Sequence, residues 1–191
     1  MHPTSSSTGP MSASDLSARL TQALPRMEAW IRDLHTAHAP RAQPVSCLGF
    51  ERLREVWPRE LLDEACAVSV ERVPYPPVSA LGLPELEPMA RARWSGITFG
   101  NMYFVDQDDT TEATHFHELC HVVQWQALGV RDFLMTYALG LLEHGYRPSP
   151  LEEIAYRFQR EFEAGSTPPA LVEVVTGHAR ATRARAGGFA P

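Results

Sequence analysis

The stretch His117-Glu118-Leu119-Cys120-His121 has the spacing of a metal-binding helix. Residues four apart lie one above the other on one face of an α-helix, so His117 and His121 can present two imidazole nitrogens to a single ion. Glu118 lies beside them and can reach a water molecule bound to that ion. This HExxH pattern is typical of zinc sites. The sequence therefore predicts a zinc site with two histidine ligands and an adjacent carboxylate.

The residues around this pentapeptide favour a helix. Thr110 or Thr111, followed by Glu112, predicts an N-terminus with an acidic residue in the first turn. The chain then contains neither proline nor glycine as far as Leu128, and Gly129 predicts the end of the helix. Two buried histidines without a metal are the alternative interpretation. That alternative does not account for the glutamate between them.

A third ligand is expected further along the chain, because a catalytic zinc site has three protein ligands and one position for water. Ser149 and Pro150 predict the N-cap and the first turn of a later helix. Glu152, three residues after the cap, can be a capping-box glutamate or the third ligand. Glu153 is the alternative ligand, since spacing alone does not choose between the two.

Three segments together resemble a known family. Residues 98–104 read TFGNMYF, residues 117–129 read HELCHVVQWQALG and residues 145–156 read GYRPSPLEEIAY. They are similar to the small bacterial zincin metallopeptidase domains of the gluzincin type, which have a strand of the ITxGNxIYF kind, an HELxHVxQ helix and a later NPxExEA helix. The resemblance covers roughly residues 95–160. It implies a zinc metallopeptidase, with a peptide or protein as substrate.

The resemblance also favours one of the two glutamates. In related gluzincins the ligand glutamate stands three residues before a small alanine, and here Glu152 has that relation to Ala155. Ser149 replaces the usual asparagine, which leaves the cap intact. Ile154 stands where the family often has a second acid, and Tyr156 stands where some members have an aspartate that orients a ligand. The group that orients the two histidines is therefore not identified.

The expected chemistry requires one Zn²⁺ per chain, held by His117, His121 and Glu152. Such an ion lowers the pKa of its bound water to about 7. Glu118 would act as general base, accepting the proton of this water and returning it to the leaving amine after attack on the carbonyl. We predict on this basis that the chain is a zinc-dependent peptidase.

The developing oxyanion needs a hydrogen-bond donor besides zinc. Tyr146 is the first candidate for this catalytic role, because it lies in the loop just before the helix of Glu152. Weaker candidates are Tyr156, His144 and His115.

Two other functions are compatible with the sequence. The first is a non-catalytic interaction protein with a zincin fold, in which zinc is structural or absent. The presence of Glu118 argues against it, because a structural metal has no use for a general base. The second is a zinc hydrolase of a non-peptide amide. Only the family resemblance favours a peptide bond over another acyl bond.

Composition limits the class of partner and the compartment. The 191-residue chain is 44% hydrophobic, enough for a sizeable core. With 17 basic and 23 acidic residues, the formal charge of −6 argues against nucleic acid or an anionic membrane as partner. Cys47, Cys66 and Cys120 are odd in number and lack metal-type spacing, and we expect Cys120 to be buried rather than a ligand. Without an apolar signal region or membrane span, we expect a cytoplasmic protein. The oligomeric state is not predicted.

The predicted fold class is α+β: a mainly helical zincin-like domain with a small β-sheet above the HExxH helix. This single domain is expected at residues 13–181, after a disordered segment at 1–12 and before a flexible, basic tail at 182–191. Further helices are predicted at 13–38, broken or bent near Pro25, in two short pieces around Pro58, at 132–144 before Gly145, and at 167–181.

Strands are predicted from residue 65 to 73, where apolar residues alternate, and from 94 to 105. A proline-rich loop separates them. The part from Ile97 to Val105 precedes the HExxH helix closely, so it can form a sheet edge above the metal. An exposed edge binds an extended peptide by strand addition. The alternative is an ordinary core strand.

Overall fold

The chain forms seven α-helices and one four-stranded sheet within residues 13–186, which are the residues that the computed structural model describes. The helices are α1 Ala13–His38, α2 Glu51–Val56, α3 Arg59–Glu64, α4 Glu87–Arg91, α5 Glu112–His144, α6 Pro150–Glu163 and α7 Leu171–Ala186. The strands are β1 Gln43–Pro44, β2 Cys66–Val70, β3 Gly96–Phe99 and β4 Met102–Asp106. The predicted α+β class, mainly helical with a small sheet, is confirmed.

The sheet has the strand order β1-β2-β4-β3. Strand β4 runs parallel to β2 and antiparallel to β3. The single strand predicted for residues 94–105 is wrong, because the chain reverses after Phe99 and pairs Phe99 with Met102. Gly100 in this turn has φ 67°, a conformation that glycine adopts without a steric penalty. The hairpin places β3 at the edge of the sheet and β4 inside it.

Along β4 the side chains alternate between the two faces of the sheet, and both faces are buried. Phe104 packs on one face, in a cluster that includes Ile31 of α1. Tyr103 packs on the other face, in a cluster that includes Leu119 of α5. The sheet therefore lies between α1 and the helix that carries the HExxH residues.

Helix α5 consists of two halves joined at Gly129, whose φ of 73° and ψ of 171° are not helical. The first half, residues 112–128, contains the HExxH residues, and Thr111 is its N-cap, accepting a hydrogen bond from the Thr114 N–H. Gly145, with φ 78°, follows the second half. The predicted stops at Gly129 and Gly145 are confirmed.

Two predicted boundaries need correction. Of the two alternatives predicted near Pro25, a break or a bend, the break is wrong, because α1 is one continuous helix from Ala13 to His38. Helix α7 continues to Ala186, so the flexible tail predicted from residue 182 is helical over its first five residues. Thr182 is buried on the same face as Val175 and Ala179, and this packing extends the helix. Residues 187–191 and the predicted disordered segment 1–12 lie outside the described residues. Within the described part, no helix has the length and hydropathy that crossing a membrane requires.

Candidate metal centre

His117 and His121 of α5 meet Glu152 of α6 at one point, with ligand atoms all within 4.8 Å of one another. The two Nε2 atoms are 3.1 Å apart, and each lies 3.4 Å from an oxygen of Glu152. Zinc bonds of about 2.0–2.2 Å in a tetrahedral arrangement place any two ligand atoms roughly 3.3–3.5 Å apart. The donor types and their separations therefore fit one zinc ion.

Gln124 orients His121. Its Oε1 lies 2.8 Å from Nδ1 of His121, and its Nε2 donates to the carbonyl oxygen of Leu151 at 2.9 Å. Because the amide oxygen can only accept, Nδ1 carries the proton and Nε2 of a neutral His121 is left free to bind a metal. This is the orienting group that the sequence did not identify. Its signal was its position three residues after His121, on the ligand face of the helix.

Glu152 is 2% exposed and is held by the second half of α5. The Tyr137 hydroxyl donates to its Oε1 at 2.5 Å, whereas its Oε2 is buried without a hydrogen-bond partner. Burial alone would raise the pKa of this carboxyl group, but His121 and His117 hold the pKa well below its usual range. A buried carboxylate with one unpartnered oxygen is costly unless a cation is supplied.

The alternative interpretations of Glu152 and Glu153 are resolved by where the two side chains lie. Ser149 is the N-cap of α6, but its hydroxyl makes no hydrogen bond. Glu152 points to the histidines and therefore does not close a capping box. Glu153 is exposed. Of the two glutamates, Glu152 is the one that meets the histidines.

Strand β3 positions Glu118. The hydroxyl of Thr98 donates to Oε2 of Glu118 at 2.7 Å. A Cβ atom on Gly96 would lie 2.3 Å from Oε1, so only glycine leaves room for the carboxylate there. Burial raises the pKa of Glu118, and the neighbouring His117 and His121 oppose that rise. This buried carboxylate lies next to the three residues that could hold a metal.

The two tyrosine candidates lie at the site, and the two histidine candidates do not. Tyr146 lines the same cavity as the donors, and its hydroxyl lies 3.1 Å from that of Tyr156. Burial, together with the charge of Glu152, raises the pKa of Tyr146, which keeps its hydroxyl protonated and able to donate. His144 pairs with a surface glutamate, and His115 bonds to the Tyr103 hydroxyl at 2.7 Å on the other side of the helix.

Cys120 is fully buried in the same cluster as Leu119 and is not one of the converging donors. Burial raises the pKa of its thiol well above the usual value. The prediction that Cys120 is buried is confirmed.

Of the stretch from Ile97 to Val105 that was predicted as a sheet edge, only the part in β3 lies at an edge, whereas the part in β4 is an interior strand. Strand β3 is one of the two edge strands of the sheet, and some of its carbonyl groups already have partners. The indole N–H of Trp125 donates to the carbonyl oxygen of Thr98 at 3.2 Å, and His35 of α1 bonds to that of Phe99 at 2.8 Å. Two of its four carbonyl groups therefore already have side-chain partners.

A cavity of about 100 Å³ lies directly beside the donors. His117, Glu118, His121 and Glu152 form one end of it. The remaining walls come from α1, from the proline-rich segment at residues 73–94, from β3 and from the second half of α5. Each of those four residues is at least nine-tenths buried and lines this cavity.

Comparison of the chain with protein-family models, with curated proteins and with solved structures gave no match. The chemistry of the site is therefore inferred from its own geometry.

Proposed function

We propose that this protein is a zinc-dependent metallopeptidase with a zincin-like fold, with one zinc ion per chain held by His117, His121 and Glu152. The observation that carries the proposal is the spacing of these donors, 3.1–3.4 Å, beside the buried carboxylate of Glu118. A purely structural zinc site would have four protein ligands and no need for that carboxylate. The resemblance to gluzincin-type domains favours a peptide bond as the target.

Different residues of the chain carry out different steps of the hydrolysis. Zinc, when bound, would supply Lewis acidity and bring the pKa of a bound water to about 7. Glu118 accepts the proton of the attacking water and delivers it to the leaving amine. Thr98 holds one oxygen of Glu118 and leaves the other for this transfer. The Tyr146 hydroxyl is the proposed donor to the developing oxyanion.

The test combines zinc analysis with cleavage assays of purified full-length protein. We expect about one zinc per chain in the wild type and in Glu118→Gln, and loss of most zinc in His121→Ala. On a library of flexible peptides, the wild type should cleave and Glu118→Gln should not, because the carboxamide keeps the shape but cannot accept a proton.

Three results would change the proposal. Full zinc retention in both His117→Ala and His121→Ala would contradict the metal site. No zinc-dependent difference between the wild type and Glu118→Gln on any peptide would favour the non-catalytic interaction protein. Cleavage of small non-peptide amides alone would favour the amide hydrolase.

A further inference from the structure

We propose that the cavity beside the metal donors is a specificity pocket that receives one compact apolar side chain of the substrate, of the size of leucine. This inference rests on the proposed function. It adds the substrate class: peptides with a bulky apolar residue next to the bond that is cut.

The walls of the cavity are apolar away from the donors. Helix α1 and the segment at residues 73–94 contribute most of these apolar residues: Leu20, Ala23, Leu24 and Met27 from the helix, and Val78, Leu83, Leu86 and Met89 from the segment. Beyond the metal end, the described lining residues include no lysine, arginine or carboxylate. A charged side chain would lose its hydration here without gaining a counter-charge, whereas an apolar one gains by leaving water.

The size of the cavity favours one side chain over a length of polypeptide. Its volume of about 100 Å³ is several times the roughly 10–15 Å³ that one water molecule needs. Next to the cavity, Trp30 of α1 packs edge-on against the lining residue Phe99, with ring centroids 5.2 Å apart. An extended segment cannot pair with all of β3, because the outward-facing carbonyl group of Thr98 is already bonded to the indole of Trp125. Side-chain burial, rather than backbone pairing, therefore provides most of the recognition.

The wall formed by α1 lies outside the segments that resemble gluzincin-type domains, which begin near residue 95. Ala23 is 3% exposed and lines the cavity, so a larger side chain at this position would fill it. Ala18 lies on the same helix but is exposed. The two alanines therefore form a matched pair, one inside the pocket and one outside.

The test measures binding, so that it does not depend on turnover. Zinc-loaded full-length Glu118→Gln is titrated by calorimetry with acetyl-Gly-X-Gly-amide peptides, where X is glycine, alanine, leucine, phenylalanine or aspartate. We expect the leucine peptide to bind at least about tenfold more tightly than the alanine peptide. The aspartate peptide should bind most weakly.

Substitutions then locate the preference, each added to the Glu118→Gln protein. Ala23→Leu should reduce the preference for leucine over alanine to about twofold or less, while Ala18→Leu should leave it unchanged. Zinc content should be the same in both. If Ala23→Leu does not fold, Met27→Ala provides the second test, because it enlarges the cavity and should shift the preference from leucine towards phenylalanine.

Failure of the pocket and failure of the proposed activity give different results. Equal binding of the alanine and leucine peptides, or no binding of any peptide, overturns the pocket. An equal effect of Ala18→Leu and Ala23→Leu on the preference for leucine over alanine also overturns it. Peptide cleavage by the wild type without such a preference overturns the pocket alone. A leucine preference in binding without cleavage by the wild type supports the pocket and overturns the peptidase.

Discussion

Of the four residues at the candidate metal centre, Glu118, His121 and Glu152 each have a side-chain hydrogen-bonding neighbour that sets their orientation, and His117 is the exception. Such neighbours matter because a metal ligand must be held in the correct tautomer and direction before the ion arrives. The ring of Tyr156 lies 4.4 Å from that of His117, whose Nδ1 has no hydrogen-bond partner among the described residues. The three hydrogen-bonded pairs are His121 with Gln124, Glu152 with Tyr137 and Glu118 with Thr98.

Gln124→Met should weaken zinc binding by about 10- to 100-fold, because Nδ1 of His121 loses the acceptor that fixes its tautomer. Competition with a chromophoric chelator measures this affinity. Gln126→Met is the control, since Gln126 is exposed on the same helix and should bind zinc like the wild type. Equal affinities of the two variants would show that Gln124 does not orient the ligand.

Glu152→Gln should lose far more zinc affinity than Glu153→Gln. The two side chains point about 100° apart on α6, and only the buried Glu152 faces the histidines. The same chelator competition compares them directly. A larger loss in Glu153→Gln would contradict the proposed ligand set.

At the scale of elements, the change of direction at Gly129 allows both halves of α5 to serve the site. The first half carries the two histidines. The second half carries Tyr137, which bonds to Glu152. Glycine is required at position 129, between the two halves, because a φ of 73° is rarely adopted by residues with a Cβ atom.

Gly129→Ala should lower the free energy of unfolding by about 1–2 kcal/mol, because alanine is strained at this φ. Gly177→Ala in α7 is the matched control. It lies inside a helix with no atom near its Cβ position, so it should instead stabilise by about 0.4–1 kcal/mol. Urea unfolding measures both. A neutral or stabilising Gly129→Ala would mean that the two halves can join in another way.

At the scale of the whole molecule, the site ties α6 to the first half of α5 next to the sheet. The charge of Glu152 and the two histidines are buried together at this junction. Burial by itself lowers the pKa of His121, but Glu152 and Glu118 raise it to about 9. A bound cation would replace this proton as the counter-charge of the carboxylate and would stabilise the folded chain.

Zinc should raise the melting temperature of the protein. At about 100 times its dissociation constant, a ligand that binds only the folded state adds about 2.7 kcal/mol, which corresponds to roughly 5–10 °C for a chain of this size. Thermal unfolding with and without a chelator measures the shift. Glu118→Gln should retain it and His121→Ala should lose it. A similar shift in His121→Ala would place the zinc elsewhere.

The sequence by itself determined the local features. The HExxH spacing, the stops at Gly129 and Gly145 and the start of α6 at Ser149 depend on residues a few positions apart, because helix periodicity and end signals are local. The same applies to the two helices on either side of Pro58.

Only the tertiary structure decided the rest. The choice between Glu152 and Glu153 depended on how α6 packs against α5, which spacing did not reveal. The bond from Gln124 to the Leu151 carbonyl, the fit of Glu118 against Gly96 and the wall that α1 adds to the cavity all join segments far apart in the chain. Such contacts arise when separate apolar faces are buried together, and no local pattern specifies which faces will meet.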